Sequence, residues 1–210
     1  PAIPNVFEEN AEFQKLIEKS IDDGCAVKNY IVKNEFLENI DLSGLEFSKC
    51  VFENVRFVNC SFRKTDLVDV IFKGCDLSNI NFSESTMNRA EFKGCKAVGI
   101  HLTSVTMNHI LFSECQCNYM NLSHARLKNI DFDTVTMASS VFNETKLKQV
   151  EFEKCDLKQS EFLHTPLVDI DFCSSDISGI QVSVYDLKGV IVNVYQAAEL
   201  AKLIGVRIRD

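Results

Sequence analysis

The sequence predicts an all-β solenoid: a rod of square cross-section and about eight coils, with a helical cap at each end. Three observations predict it. First, every fifth residue from Leu42 to Val192 is apolar or small, running Leu42, Phe47, Phe52, Phe57, Phe62, Leu67 and onward without a slip. The position two before each centre is also small or apolar, as at Ile40, Cys50, Val55, Cys60, Val70 and Cys75. A period of five matches neither the helix at 3.6 nor the strand at 2.0. It requires a chain that turns once in five residues and points two of the five inward.

Second, like residues recur at twenty. Phe52, Phe72, Phe92, Phe112, Phe132, Phe152 and Phe172 make an unbroken column, whereas Phe47, Leu67, Met87, Met107, Leu127, Leu147, Leu167 and Leu187 hold one aromatic. One coil is therefore four pentapeptides. The 31 centres make about 7.75 coils, and stacking at the strand spacing gives a rod roughly 37 Å long. Third, six of the eight glycines fall two residues after a centre, where a tight turn needs positive φ. Asn54, Asn59, Asn79, Asn129, Asp69 and His109 share that position and tolerate left-handed geometry.

Taken in order, the chain begins with a helical cap assigned to residues 1–24. Phe13, Leu16, Ile17 and Ile21 share one face of a helix predicted over 5–23, Asn5 caps its start, and Asp22-Asp23-Gly24 closes it. Such a helix covers the open edge and apolar end of a first coil. The solenoid is assigned to residues 25–194. Its opening stretch, 25–41, reads as irregular, with Ile31 and Phe36 as candidate centres one residue out of register with Leu42. Ala97 and Cys117 are adjacent small centres, which predicts a pinch in the rod. Pro166 removes one ladder donor. The tail, 195–210, holds a helix over Tyr195–Ile204, closed by Gly205 and followed by Val206 and Ile208 in strand-like alternation. Its apolar surplus at Ala197, Leu200, Leu203, Ile204, Val206 and Ile208 predicts two-fold self-association.

Composition excludes several classes of function. The 22 basic against 30 acidic side chains argue against nonspecific DNA or anionic-membrane binding. No apolar run is long enough to span a bilayer and no leader precedes the repeat, so the expectation is a cytoplasmic chain starting at Pro1 after loss of an initiator Met. Seven of the nine cysteines occupy inner positions and read as small buried thiols of a reducing compartment. No metal or cofactor site is expected. The four histidines (His101, His109, His124, His164) face outward, no Gly-x-Ser-x-Gly or phosphate loop occurs, and a filled rod offers no substrate cleft. Neither an enzyme nor a small-molecule site is expected.

Surface charge is what remains, and it is uneven. Residues 41–130 balance 9 acidic with 10 basic groups, whereas 131–190 carry 11 acidic and 5 basic, which singles out the second half. Asp131, Asp133, Glu151, Glu153 and Asp171 flank three successive phenylalanine centres, with Asp156 and Asp176 one pentapeptide further on. Stacked carboxylates repel, so stability does not favour them. They serve either as a solvated face that keeps the rod soluble, or as regularly spaced negative charge of the kind a DNA-binding groove recognises in phosphates.

Pentapeptides such as Cys75-Asp76-Leu77-Ser78-Asn79 resemble the pentapeptide repeat family over about three quarters of the chain, which implies a right-handed quadrilateral β-helix. The ending Asp186-Leu187-Lys188-Gly189-Val190, then Tyr195-Gln196-Ala197 and a leucine-rich helix to Ile204-Gly205, is similar to the Qnr quinolone-resistance proteins of the chromosomal Gram-positive, enterococcal kind. That resemblance implies a cytosolic homodimer joined through its C-terminal helices. It would imitate duplex DNA, bind DNA gyrase or topoisomerase IV rather than nucleic acid itself, and protect the enzyme from fluoroquinolones. The plasmid-type members carry two loops that interrupt their coils, and the register here leaves no place for them, so gyrase inhibition by mimicry stands beside protection. The competing class is a repeat scaffold with a partner unrelated to topoisomerases.

Overall fold

The computed structural model describes Pro1, Glu8, Glu9 and residues 13–209. The chain winds as a right-handed quadrilateral β-helix whose adjacent coils pair as parallel strands twenty residues apart. Phe52 lies opposite Phe72, Phe72 opposite Phe92, Phe92 opposite Phe112, Phe112 opposite Phe132 and Phe132 opposite Phe152. Two of the four faces, those of the phenylalanine and the leucine–methionine columns, are spanned by eight-residue strands: Asp66–Lys73, Thr86–Lys93, Thr106–Ser113, Arg126–Asp133 and Lys146–Glu153. The other two are held by single bridges such as Asp76 to Lys96 and Asn81 to His101. There the centre's carbonyl closes a turn, as from Ile80 N–H to Leu77 O at 3.1 Å and from Val105 N–H to Leu102 O at 3.3 Å.

The second residue after each centre is left-handed at every corner from Asn29 to Asp169. The geometry does not wait for glycine or asparagine: Lys64, Glu84, Arg89, Tyr119 and Thr134 all hold φ between +54° and +63°. A left-handed residue with a side chain costs roughly 1–2 kcal/mol, and coil stacking offsets that at each level. Gly99 is the informative glycine. A Cβ there would meet the Asn79 Oδ1 of the coil below at 2.5 Å, so a side chain at 99 would oblige that amide to turn away.

The inner file is continuous, and it begins earlier than the sequence reading placed it. Val27, Val32 and Leu37 are buried and pair with Phe47, Phe52 and Phe57, so the register runs unbroken through 25–41. Ile31 is half-buried and Phe36 is 55% exposed beneath the Arg56 guanidinium. Two adjacent apolar residues, Ile31-Val32 and Phe36-Leu37, left the inner one undecided until pairing with the next coil selected it. Around Cys117 the small centre is accompanied by the fully buried Met120, whose N–H closes the same turn on the Cys117 carbonyl at 3.1 Å.

The small residues two before each centre have a second role besides fitting. The Cys75, Cys95, Cys115 and Cys155 thiols donate to the carbonyls of Phe52, Phe72, Phe92 and Phe132 at 3.3 to 3.4 Å. Thr145 and Ser160 do the same to Leu122 and Met137 at 2.7 and 3.0 Å. At Leu122 and Met137 the carbonyl also closes its turn, from the Ala125 N–H at 3.0 Å and the Ser140 N–H at 3.3 Å, so the side chain there supplies a second donor. Burial pushes the Cys155 thiol up to about 11 and raises Cys50 and Cys60 as well, so those three stay neutral. All nine cysteines are free, with Cys25 and Cys173 exposed.

The long strands stop after Lys146–Glu153, six coils beyond the strand Tyr30–Lys33. From Asp66 to Lys146 the residue before the leucine–methionine centre donates its N–H to the coil below, as Arg126 to Val105 O and Lys146 to Ala125 O, both at 2.9 Å. At the next level that residue is Pro166, which has no N–H. Single bridges, Asp156 to Asp176 and Asp171 to Ile191, carry the last coils. The strand-paired part of the rod is thus about six coils, shorter than the count of centres.

Helix α1 (Phe13–Asp23) seals the first coil. Phe13 meets Phe52 edge-on at 5.9 Å and Ile17 is buried, but Ile21 is 55% exposed and does not join the packed face. Glu8–Glu9 pair with Tyr30–Ile31 as a strand, so the helix starts later than residue 5, and the cap expected at Asn5 lies outside the described residues. At the other end, α2 (Val194–Ala201) continues into a short 3-10 turn, Lys202–Ile204. Residues Val206 to Ile208 form no strand with the described residues. No helix among the described residues is long and apolar enough to cross a membrane.

Candidate protein-docking face

The strands Arg126–Asp133 and Lys146–Glu153 bring four of the predicted carboxylates together. Asp131 lies in register with Glu151, and Asp133 with Glu153. The inward turn of Phe132 and Phe152, whose rings stack at 5.1 Å, forces the residues on either side of each to point outward. Asp171 extends the ridge by one coil beside the buried Phe172. The Cys173 N–H donates to its Oδ1 at 2.7 Å and holds its carboxyl below the usual range, so it stays ionised. Glu151, Glu153, Asp169 and Asp171 line one shallow groove. Asp169, a corner residue, was missed because its spacing marks it only as a turn.

The seven predicted carboxylates do not form one uniform surface. Asp156 and Asp176 lie on the neighbouring face and share Lys158, at 3.4 and 3.3 Å. Glu153 is paired with Lys154 at 2.7 Å. Asp133 accepts from the Thr134 hydroxyl at 2.8 Å. Asp131, Glu151 and Asp171 are exposed and have no ion-pair partner among the described residues. A pair of like charges stacked at strand spacing is destabilising by a few tenths of a kcal/mol or more.

The same two strands carry a second ridge that the sequence reading passed over. Arg126 and Lys128 flank Leu127, Lys146 and Lys148 flank Leu147, and register sets Arg126 opposite Lys146 and Lys128 opposite Lys148. All four are exposed. The signal was present as a change of sign between successive centres within each strand, but counting charge over long windows averaged it away.

In the tail, Gln196 decides the geometry. Its side chain and that of Asn193 form a reciprocal cap on α2, and its Nε2 donates to the carbonyls of Phe172 and Ser175, both at 2.8 Å. The last coil is thereby closed by a buried amide. Of the six residues expected at a two-fold interface, Leu200 is half-buried against its own coil. Ala197, Leu203, Ile204, Val206 and Ile208 are exposed. Tyr185, Val194 and Tyr195 are each more than 80% exposed and were not anticipated; Tyr185 lies two before the centre Leu187, a position that is buried in the earlier coils.

Among the described residues no group of three His, Cys, Asp or Glu converges as a metal site would need. His124 faces Glu144 at 3.4 Å, one ion pair on an exposed corner. The interior is filled by buried side chains along its length, and the chemistry this surface can offer is recognition by charge.

Models of a pentapeptide repeat region match residues 65–140, and of pentapeptide repeats in eight copies residues 37–74. No curated protein sequence matches the chain. Among solved structures it is similar to a trypsin-treated variant of QnrB1, a plasmid-mediated fluoroquinolone resistance protein, at 22% identity, covering 85% of this chain and 90% of that one with a TM-score of 0.45. Full-length QnrB1 is 18% identical over 84% of this chain and 100% of that one, with a TM-score of 0.44. HetL, a pentapeptide repeat protein involved in heterocyst differentiation regulation from the cyanobacterium Nostoc sp., is 16% identical over 84% and 95%, with a TM-score of 0.39.

Proposed function

Since the chain belongs to the pentapeptide-repeat proteins, rods whose outward residues are free to specify a partner, we propose that it binds a type II topoisomerase, DNA gyrase or topoisomerase IV, in place of DNA. It thereby protects the enzyme from fluoroquinolones and competes with its DNA substrate. The observation that carries this is the stack of Asp131, Glu151 and Asp171 on three successive coils, exposed and unpaired among the described residues. A rigid surface with charge repeated at about 4.8 Å offers a basic groove what it expects from phosphates. The QnrB1 proteins named above, described as fluoroquinolone resistance proteins, and the ending at Tyr195-Gln196-Ala197 agree with this reading. It places the protein in the cytoplasm with its enzyme.

The test is Asp131→Asn, Glu151→Gln and Asp171→Asn together. Size is kept and three repelling charges go, so the melting temperature should hold or rise. Affinity for the topoisomerase should fall about tenfold, at roughly 0.2–1 kcal/mol for each exposed pair lost, and wild-type binding should weaken with salt. In gyrase supercoiling with ciprofloxacin present, the wild type should alter the outcome and the triple variant less so. A wild type without effect at micromolar concentration points instead to a scaffold for another partner.

The same reading makes the protein a homodimer through its C-terminal apolar surface. Leu203→Asp with Ile204→Asp, which leaves the Gln196 cap in place, should sediment as a monomer where the wild type sediments as a dimer. A monomeric wild type at tens of micromolar would remove the two-fold.

A further inference from the structure

The lower coils hold most of the rod's ion pairs between coils. Most stacked charges there are of opposite sign, with Glu46 over Asp66 and Lys73 over Lys93 as like pairs. Glu53 lies between Lys33 and Lys73, at 3.9 and 2.8 Å. Arg89 reaches down to the buried Asp69 through two bonds of 2.7 and 2.8 Å. Lys96 meets Asp76 at 3.6 Å, and Glu84 takes both Arg63 and Lys64. In Arg126–Asp133 and Lys146–Glu153 the order is reversed: cation stands over cation and anion over anion. Exchanging signs within one of the two strands would have turned four repulsions into four attractions at no cost in packing. Arg126, Lys128, Lys146 and Lys148 have no anionic partner among the described residues, although the anions begin three residues away, across the corner residues Asn129 and Gln149.

We propose that this corner docks as a single bipolar unit. Its occupant is a protein cleft with a basic wall for Asp131, Asp133, Glu151 and Glu153 and an adjoining acidic wall for the four cations. The proposal rests on the topoisomerase reading and narrows it. A surface that only replaced DNA would meet basic groups on both sides, and four cations at its edge would be repelled. A nucleic acid is disfavoured by the anions, and a purely basic segment by the cations. The four positive and four negative side chains cancel, so the match is one of pattern rather than net charge.

Mimicry alone and the bipolar corner predict opposite signs for one experiment. Arg126→Gln, Lys128→Gln, Lys146→Gln and Lys148→Gln are made together, and binding to purified gyrase and topoisomerase IV is measured beside the wild type and the acidic triple variant. The bipolar corner predicts affinity weakened about tenfold, with a melting temperature equal to or above that of the wild type. Tighter or unchanged binding by the glutamine variant, with the acidic variant still weakened, overturns the proposal and leaves the topoisomerase reading standing. A wild type that binds neither enzyme removes both. Labelled duplex DNA is the third probe: binding by the wild type that disappears with the four glutamines would make the basic ridge a phosphate site and overturn the acidic wall.

Discussion

Phe112→Ala is expected to destabilise the rod by about 3–5 kcal/mol. Phe112 is 1% exposed and stacks between Phe92, at 4.5 Å and 4°, and Phe132, at 5.1 Å and 17°. Truncation therefore leaves a cavity with a ring above and a ring below. Neither can relax into it without leaving its own stack, since each is in turn held by Phe72 at 5.0 Å or Phe152 at 5.1 Å. Coils contact only their neighbours, so the loss should appear in hydrogen exchange as opening of Thr86–Lys93, Thr106–Ser113 and Arg126–Asp133, with the terminal coils little changed. Uniform loosening of the whole rod would contradict a nearest-neighbour solenoid.

Gln196→Ala should produce the next largest loss, about 1–3 kcal/mol, confined to the other end. It removes the donor to the Phe172 and Ser175 carbonyls and half of the reciprocal cap with Asn193. The last coil lacks long strands after Pro166 and is held by single bridges, so it has little other support. Limited proteolysis should cut sooner between Tyr185 and Ala201, while exchange at Arg126–Asp133 stays slow. Gln196→Glu, which fills the same volume but sets a carboxylate against two carbonyls, should be at least as harmful. An alanine variant that resists protease as the wild type does would show that α2 is held by its apolar contacts alone.

Much of the molecule was legible because a solenoid repeats one local problem. Whether Phe72 or Leu77 points inward is decided by the turn within its own pentapeptide, and the stacking partner twenty residues away has the same character. The N-terminal coils were misread for the complementary reason. At Ile31-Val32 and Phe36-Leu37 both residues are apolar, so local pattern was silent until pairing with Val51-Phe52 and Arg56-Phe57 chose the inner member. Ile21 fell on the right helical face by spacing, but α1 ends at Asp23 and only its first turns lie over the coil.

The candidate site divides along the same line. The amino-acid sequence by itself determined the period, the square section, the phenylalanine column and the concentration of acid in the second half, since each is set by which residues recur at five and at twenty. Tertiary structure alone decided which charges are free. Glu153, Asp156 and Asp176 look like Asp131 and Glu151 in sequence, yet Lys154 and Lys158 reach the first three and no cation reaches the last two among the described residues. An ion pair depends on where two flexible side chains meet across a corner or between coils, over 4 Å or less. A periodicity records only which way each residue points.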